Sequence, residues 1–311
     1  MIYLFLVLSI FLFVTLAVIG IGHHAFAITP QPNEEPEQLA GRGFRDVFFP
    51  NNNQEALHGW WIPDPKATLT DPKPTLVLIH GWGRNAGRML PYYQVLKDHS
   101  LNFLLLDGRG HGDNAPNNFI SQLGFSRDIT AALDWLVLQP GVDVRRMGVI
   151  GHSLGAAAAL FAASIDKRIS LLVADSSYAD PLSVIKRMLK ARNIPYLPLG
   201  WLIKHYIQAR LRMTMDRISP LNAVRNIQNP TLLIHGTDDT TTPFDDSRKL
   251  HSAAGDNHFR FLPVSGSNHS DTIHHPEVRS AIRAFITDHW ISSSNNHSET
   301  FNPYLSDSDI I

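Results

Sequence analysis

Five unbroken apolar runs mark out the middle of the chain: Thr75-Leu76-Val77-Leu78-Ile79, Phe103-Leu104-Leu105-Leu106, Met147-Gly148-Val149-Ile150, Ser170-Leu171-Leu172-Val173-Ala174 and Thr231-Leu232-Leu233-Ile234. Runs without polar alternation suit strands buried on both faces of a parallel sheet. Phe259-Arg260-Phe261-Leu262 is a weaker sixth. Upstream, Phe44 to Phe49 and Leu57 to Ile62 are short aromatic-rich segments separated by Pro50-Asn51-Asn52-Asn53, which predicts an antiparallel hairpin. Helical periodicity fills the gaps. Asp128 to Leu138 puts Ile129, Ala132, Leu133 and Leu136 on one face, and Val278 to Ile286 does the same with Ala281, Ile282 and Phe285. Strands alternating with helices imply right-handed crossovers and a mostly parallel, eight-stranded sheet covered on both faces. Such sheets bind ligands at the carboxyl ends of their strands.

The ends of the chain read differently. Ile2 to Gly22 carries no charged side chain, and about 20 apolar residues rising 1.5 Å each match the roughly 30 Å hydrocarbon core. Residues 1–22 are therefore expected to be a single-pass N-terminal membrane anchor. Ala25-Phe26-Ala27 has the small-x-small form of a signal-peptidase site, so a secreted or periplasmic protein released by cleavage is the alternative. The run is longer than a usual signal core and no Lys or Arg precedes it, which favours the anchor. Glu34, Glu35 and Glu37 follow the span, but acidic residues count little in setting orientation. Residues 23–40, with Thr29-Pro30-Gln31-Pro32-Asn33-Glu34-Glu35-Pro36, read as a linker. Residues 41–290 hold the strand and helix pattern. The Ser-, Asn- and Asp-rich residues 291–311 read as a disordered tail.

Composition narrows the chemistry. The formal net charge is −1 in 311 residues, so no overall field points to nucleic acid. Cysteine is absent, which excludes disulfides, a thiol nucleophile and a Cys-ligated zinc site. Nothing in the motifs calls for a metal or a cofactor.

The chemistry-bearing residues sit where the buried runs end. Gly151-His152-Ser153-Leu154-Gly155 follows the run ending at Ile150 and opens an Ala-rich helix, Ala156 to Ala163. This is the nucleophile-elbow pattern G-x-S-x-G in its strand–turn–helix context. A turn sharp enough to lift Ser153 into strained backbone geometry leaves no room for side chains two positions either side. A serine hydroxyl is a poor nucleophile and needs a base oriented by a carboxylate. Downstream lie His235-Gly236-Thr237-Asp238-Asp239-Thr240-Thr241-Thr242-Pro243 after one buried strand and Gly266-Ser267-Asn268-His269-Ser270-Asp271 after the last strand candidate.

From about Phe44 to Trp290 the chain resembles the α/β-hydrolase superfamily, particularly its small bacterial esterase-like members. The resemblance rests on His80-Gly81-Trp82-Gly83, Asp107-Gly108-Arg109-Gly110-His111-Gly112, the elbow, Gly236-Thr237-Asp238-Asp239 and Gly266-Ser267-Asn268-His269, in the family's order. It implies Ser153 as nucleophile, His269 as general base and Asp239 as the orienting acid, with Asp238 and Asp175 as rivals. It also implies oxyanion-hole N–H groups from Leu154 and Trp82. The chain departs here from the His-Gly-Gly-Gly version of lipases and esterases. Asp107, Arg109 and His111 are expected to brace their turn rather than to react. Of 16 histidines, His258, His274 and His275 lack the Gly-x-x-His placement and are expected at the surface.

Residues 178–230 are too long for a simple crossover and hold two apolar-rich helical stretches, Pro181 to Leu189 and Leu199 to Met213. In this fold an insertion there forms a cap over the site. In those stretches and just after them, Lys186, Arg187, Lys190, Arg192, Lys204, Arg210, Arg212 and Arg217 meet the single acid Asp216. Such a run suits either solvated amphipathic helices or a face toward anionic lipid head groups. The resemblance implies acyl transfer to water from a carboxylic ester, on a small-molecule or lipid acyl substrate. Thioester hydrolysis, lysophospholipid hydrolysis and acyl transfer to another alcohol use the same machinery. Only a hairpin and linker precede the core, which argues against a large propeller-gated peptidase. A membrane-tethered binding protein that has lost turnover is the alternative of another class.

Overall fold

Each of the five apolar runs is a strand of one sheet. The computed structural model describes residues 28–33, 43–255 and 258–291, with isolated positions 3, 5, 9 and 20. Its strands are β1 (Arg45–Pro50), β2 (Ala56–Ile62), β3 (Lys73–Ile79), β4 (Asn102–Leu106), β5 (Val142–His152), β6 (Ile169–Asp175), β7 (Thr231–Gly236) and β8 (Phe259–Val264). They form an eight-stranded sheet in the order β1-β2-β4-β3-β5-β6-β7-β8. The β1–β2 hairpin is antiparallel and β2 joins β4 antiparallel, while every pair from β4 to β8 is parallel. This is the α/β-hydrolase fold, with the hairpin and the parallel body where the hydrophobic pattern puts them.

Side chains leave each strand to alternate faces, and both faces are covered. Val77, Ile79, Leu104, Val149, Leu172 and Leu233 pack under α2 (Gln122–Leu136) and α3 (Leu154–Ile165). Leu76, Leu78, Leu105, Ile150, Val173 and Ile234 pack under α1 (Leu90–Leu96) and a C-terminal helix, Pro276–Ile286. The alanines of α3 serve the first of these layers. Ala156 to Ala159 are fully buried, and their small side chains let the helix lie close on the sheet.

Helix α2 starts at Gln122, six residues before the periodicity of Asp128 to Leu138 predicts. Its opening turns bury the polar Gln122, Ser126 and Asp128 among Leu123 and Phe125, which breaks up the hydrophobic pattern. Gln122 donates to the Ala157 and Ile218 carbonyls and accepts from the Tyr178 hydroxyl, and Asp128 grips Arg109. Ser121 caps the helix by accepting from the Gly124 N–H at 3.1 Å.

The insertion between β6 and β7 contains α4 (Pro181–Lys190), a turn over Tyr196–Gly200 and α5 (Trp201–Leu211). It has a small core of its own, built on Ile185, Leu189, Ile207 and Met215. After two single-turn helices, Met215–Ile218 and Pro220–Ala223, come the longer α6 (Phe244–Ala254) and α7 (Pro276–Ile286). Part of the stretch read as linker, residues 28–33, lies against the body. Ile28 bridges Asn117, and the Asn33 amide donates to Asp113 at 3.0 Å. The anchor segment, the rest of the linker and the tail beyond Ile291 fall outside the described residues, apart from the isolated positions. Among the described residues no helix is long and apolar enough to cross a membrane.

One buried histidine ties the hairpin to the parallel body. His58 of β2 faces a carboxylate at each ring nitrogen, with Asp107 Oδ2 2.7 Å from Nδ1 and Asp46 Oδ1 2.9 Å from Nε2. Two acceptors require two N–H groups, so the ring is held as imidazolium. Burial opposes this, but hydrogen bonds and charge from Asp107 and Asp46 outweigh it and raise the pKa above its ordinary 6.5. The stability this supplies is fully present below pH 6.5 and is lost as pH rises through the raised folded value. Urea unfolding of wild type and His58→Gln across pH 5.5–9 is therefore expected to show a gap that is widest at the acid end and narrows with rising pH. A gap that does not change with pH would refute the charged form.

Candidate active site

Ser153 stands between β5 and α3 with φ +56° and ψ −116°, a conformation that L side chains seldom adopt. The turn is enforced by crowding. A Cβ on Gly155 would come within 2.5 Å of the Ile79 and His80 carbonyl oxygens, and one on Gly151 within 2.5 Å of the Gly155 carbonyl oxygen. Helix α3 thus starts pressed against the ends of β3 and β5. The Ser153 N–H donates to the Asp175 carbonyl at 2.8 Å.

Three strand-end loops converge on this serine. His269, after β8, has Nε2 2.9 Å from Ser153 Oγ and Nδ1 2.7 Å from Asp239 Oδ2, after β7. The serine hydroxyl donates to Nε2, and Nδ1–H donates to the carboxylate. The rival acids do not reach His269. Asp238 is exposed and accepts from the Thr237 hydroxyl. Asp175 is buried and accepts from the Tyr92, Thr272 and Ser176 hydroxyls. His258 and His274 lie exposed, and His275 is half-buried.

Residues 94–296, well over half of the chain and spanning all three of these side chains, match the prolyl oligopeptidase family. The chain belongs to the prolyl oligopeptidase family. It is a hydrolase of the α/β-hydrolase fold. An uncharacterised protein of Mycobacterium tuberculosis is 28% identical over 265 residues, 83% of this chain and 84% of that protein. Human protein ABHD12B is 27% identical over 240 residues, 72% of this chain and 64% of that protein. An esterase of Pyrococcus furiosus has a similar structure, with a TM-score of 0.66 at 22% identity over 83% of this chain and 98% of that one.

In this member of the family the acid is surrounded by donors. Asp239 Oδ1 accepts from the Thr241 and Thr242 N–H groups, each at 2.8 Å, and Oδ2 accepts from the Thr242 hydroxyl at 2.7 Å as well as from His269. Burial alone would raise its pKa, but hydrogen bonds from His235, His269 and Thr242 outweigh burial and hold the carboxyl well below the usual range. Thr242 and His235 are contributors that the motifs did not single out. His235 Nε2 is 2.7 Å from the Thr242 carbonyl and 3.3 Å from Asp239, while Nδ1 meets the Ser247 hydroxyl at 2.6 Å. Their only sequence signal is position, at the strand end and just before Pro243.

The loop bearing His269 is held from two sides. His152, the variable residue of the elbow, donates from Nε2 to the His269 carbonyl at 2.8 Å, and burial pushes its pKa down to about 4, so the ring is neutral. Asp175 fastens Thr272, three residues beyond His269, to Tyr92 of α1. Arg88 also donates to the Ser270 carbonyl.

Facing Ser153 across the elbow is the exit of β3. A Cβ on Gly81 would lie 3.0 Å from the Ser153 Cβ, so this backbone crosses directly beside the nucleophile. His80 is buried and its pKa is pushed down to about 4 by burial. Its Nδ1–H donates to the Gly81 carbonyl at 2.7 Å and its Nε2 accepts from the Gly108 N–H at 3.1 Å. A trans peptide points its C=O and N–H in opposite directions, so the bond to Gly81 turns the Trp82 N–H away from the His80 ring. Leu154 opens α3, and a helix's first N–H groups have no partner within the helix.

Asp107, Arg109 and His111 brace their turn. Arg109 makes a buried ion pair with Asp128 at 2.6 Å, His111 Nε2 accepts from the Gly83 N–H at 3.0 Å, and Asp107 accepts from the Ala86 N–H at 2.6 Å. Among the described residues, His58, Asp107 and Asp113 are the one group with the spacing of metal ligands. As imidazolium, His58 has both ring nitrogens protonated and offers a cation no lone pair.

Thr242→Val keeps the shape of the acid loop but removes a hydroxyl donor from a buried carboxylate. It is expected to lower the unfolding free energy by about 1.5–3 kcal/mol at pH 7. The loss should persist at pH 3.5, because the unfolded carboxyl titrates alike in both proteins and the folded one stays ionised well below the usual range. Urea titrations at pH 7 and pH 3.5 measure both.

Proposed function

We propose that the protein is a serine hydrolase that cleaves a carboxylic ester through an acyl-serine intermediate. The observation that carries this reading is His269 held between Ser153 Oγ at 2.9 Å and Asp239 at 2.7 Å. Ser153 attacks the ester carbonyl carbon while His269 Nε2 takes its proton. Asp239, kept ionised by its donors, orients the ring and stabilises the imidazolium. The charge that develops on the carbonyl oxygen is met by the N–H groups of Leu154, at the head of α3, and Trp82, after β3. The imidazolium then protonates the departing alcohol. A water activated by His269 attacks the acyl-serine, and the acid leaves.

The substrate is a small or lipid acyl ester, with the cap (residues 178–230) over the site shaping the choice. The Pyrococcus furiosus relative is called an esterase, which agrees with this reading. A second reading, cleavage of a peptide bond by the same residues, is favoured by the family match over 94–296. Thioester hydrolysis, lysophospholipid hydrolysis and acyl transfer also fit the machinery, whereas a silent membrane-tethered binding protein gives no reason for the triad to be aligned. No cofactor, metal or nucleic acid enters the reaction. The apolar residues 1–22 anchor the protein in a membrane in this reading, with secretion after cleavage as the alternative.

A fluorophosphonate probe is expected to label wild type and not Ser153→Ala; labelling that survives the substitution would refute the assignment. Asp239→Asn is expected to lower kcat by about 10⁴-fold, because the ring loses the correct tautomer. A set of acyl esters, thioesters and peptidyl amides of graded chain length, assayed with wild type and Ser153→Ala, separates the readings. Turnover of amides ahead of esters would replace the ester proposal with the peptidase one.

A further inference from the structure

We propose that the tip of the cap is a docking surface for an anionic lipid bilayer. From Pro181 to Met215 the chain has Lys186, Arg187, Lys190, Arg192, Lys204, Arg210 and Arg212 and no Asp or Glu, in a protein whose net charge is −1. Two of these cations are occupied inside the molecule. Arg187 pairs with Asp246 of α6 at 3.0 Å, and Arg210 lies over the Phe119 ring at 5.1 Å. Lys186, Lys190 and Arg192 are exposed, Lys204 is half-exposed, and none of the four has a carboxylate in ion-pair reach among the described residues.

Between these cations stands an apolar point. Leu197 is 68% and Trp201 47% exposed, on and just after the turn that joins the cap helices. Lys186 Nζ sits 5.4 Å from the ring centre of Tyr196, the neighbour of Leu197. Lys204 follows Trp201 by three residues on α5, close to one turn of helix. The cap keeps Ile185, Leu189, Ile207 and Met215 in its own core, whereas Leu197 and Trp201, together with Met188 of α4, are left outward. A Leu and a Trp ringed by Lys and Arg match the interface of an anionic membrane, where the indole enters the head-group layer and the cations meet lipid phosphates and carboxylates.

A separate observation sets the direction. The chain coming from the apolar N-terminal segment meets the body where Ile28 bridges Asn117. Two residues further on, Phe119 packs against Tyr206 of α5 with ring centres 6.3 Å apart. The N-terminal chain therefore joins the body beside the cap, and a bilayer that takes up residues 1–22 lies on the cap's side. The inference is independent of which acyl bond Ser153 cleaves.

The protein has no cysteine, so a single introduced thiol reports one place. Full-length Leu197→Cys carrying an environment-sensitive nitrobenzoxadiazole dye is incorporated into vesicles of phosphatidylcholine alone or with 30% phosphatidylserine. A blue shift is expected on the anionic vesicles only, reversed by about 0.5 M salt. It is expected to be lost when Lys186, Lys190, Arg192 and Lys204 are all replaced by Gln. The same dye on Leu69→Cys, 82% exposed in the β2–β3 loop at the amino-terminal ends of the parallel strands, opposite the ends from which the cap leaves, is expected not to shift. An equal shift on both vesicle types, or one that survives the four Gln substitutions, overturns the proposal. So does a shift produced without vesicles by an acidic polypeptide, which assigns the surface to a protein partner. Hydrolysis of a soluble short-chain ester by the same samples verifies folding and reads the acyl-transfer proposal separately.

Discussion

The closeness of α3 to the ends of β3 and β5 governs the geometry of the site. Gly155 lies against two strand carbonyls and Gly151 lies against Gly155, with no space for a Cβ at either position. That contact forces the reversal that leaves Ser153 at positive φ, and it aims the first turn of α3 at the space in front of the hydroxyl. It also brings Gly81 against Ser153, so two backbone segments flank the nucleophile before any catalytic side chain is considered. A larger residue at the helix start would move all of these together.

Two buried carboxylates, Asp239 and Asp175, and two neutral rings surround the nucleophile. Asp239 keeps its charge because backbone, hydroxyl and imidazole donors all point at it. His80 and His152 are kept neutral by burial and act as hydrogen-bonding struts for backbone carbonyls. Asp239 meets His269 at the ring nitrogen opposite Ser153, where its charge stabilises a proton arriving on that ring. The charged histidine of the structure, His58, lies apart in the hairpin, where two carboxylates face it.

The parallel strands were legible because burial on both faces leaves a run with no polar interruption. The three residues that meet at the elbow were legible because Ser153 and Asp239 follow such runs and His269 the weaker β8 run, each at a motif spacing, and the structure brings them together. The supports were not. Thr242 and His235 are single polar residues that reach Asp239 only through the fold of its loop, and Tyr92 and Thr272 meet Asp175 from 83 and 97 positions away. No periodicity marks a hydroxyl that bonds across a sheet. The early start of α2 was hidden for a related reason, since its first turns interleave buried, hydrogen-bonded polar groups with Leu123 and Phe125 and so blur the apolar face. The proline-rich stretch read as a linker holds Asn33 to Asp113 and Asp107, contacts that composition does not encode.

The Ile28–Asn117 bridge bears on how much slack the body has. Six positions separate Gly22 from Ile28, and an extended chain covers at most about 20 Å over that number. On the proposed anchor this is a tether shorter than the body is wide, so the hydrolase cannot roll over to present a different side. Reach, rather than affinity, then decides which acyl groups arrive: those within a few nanometres of the head groups, approaching from the membrane.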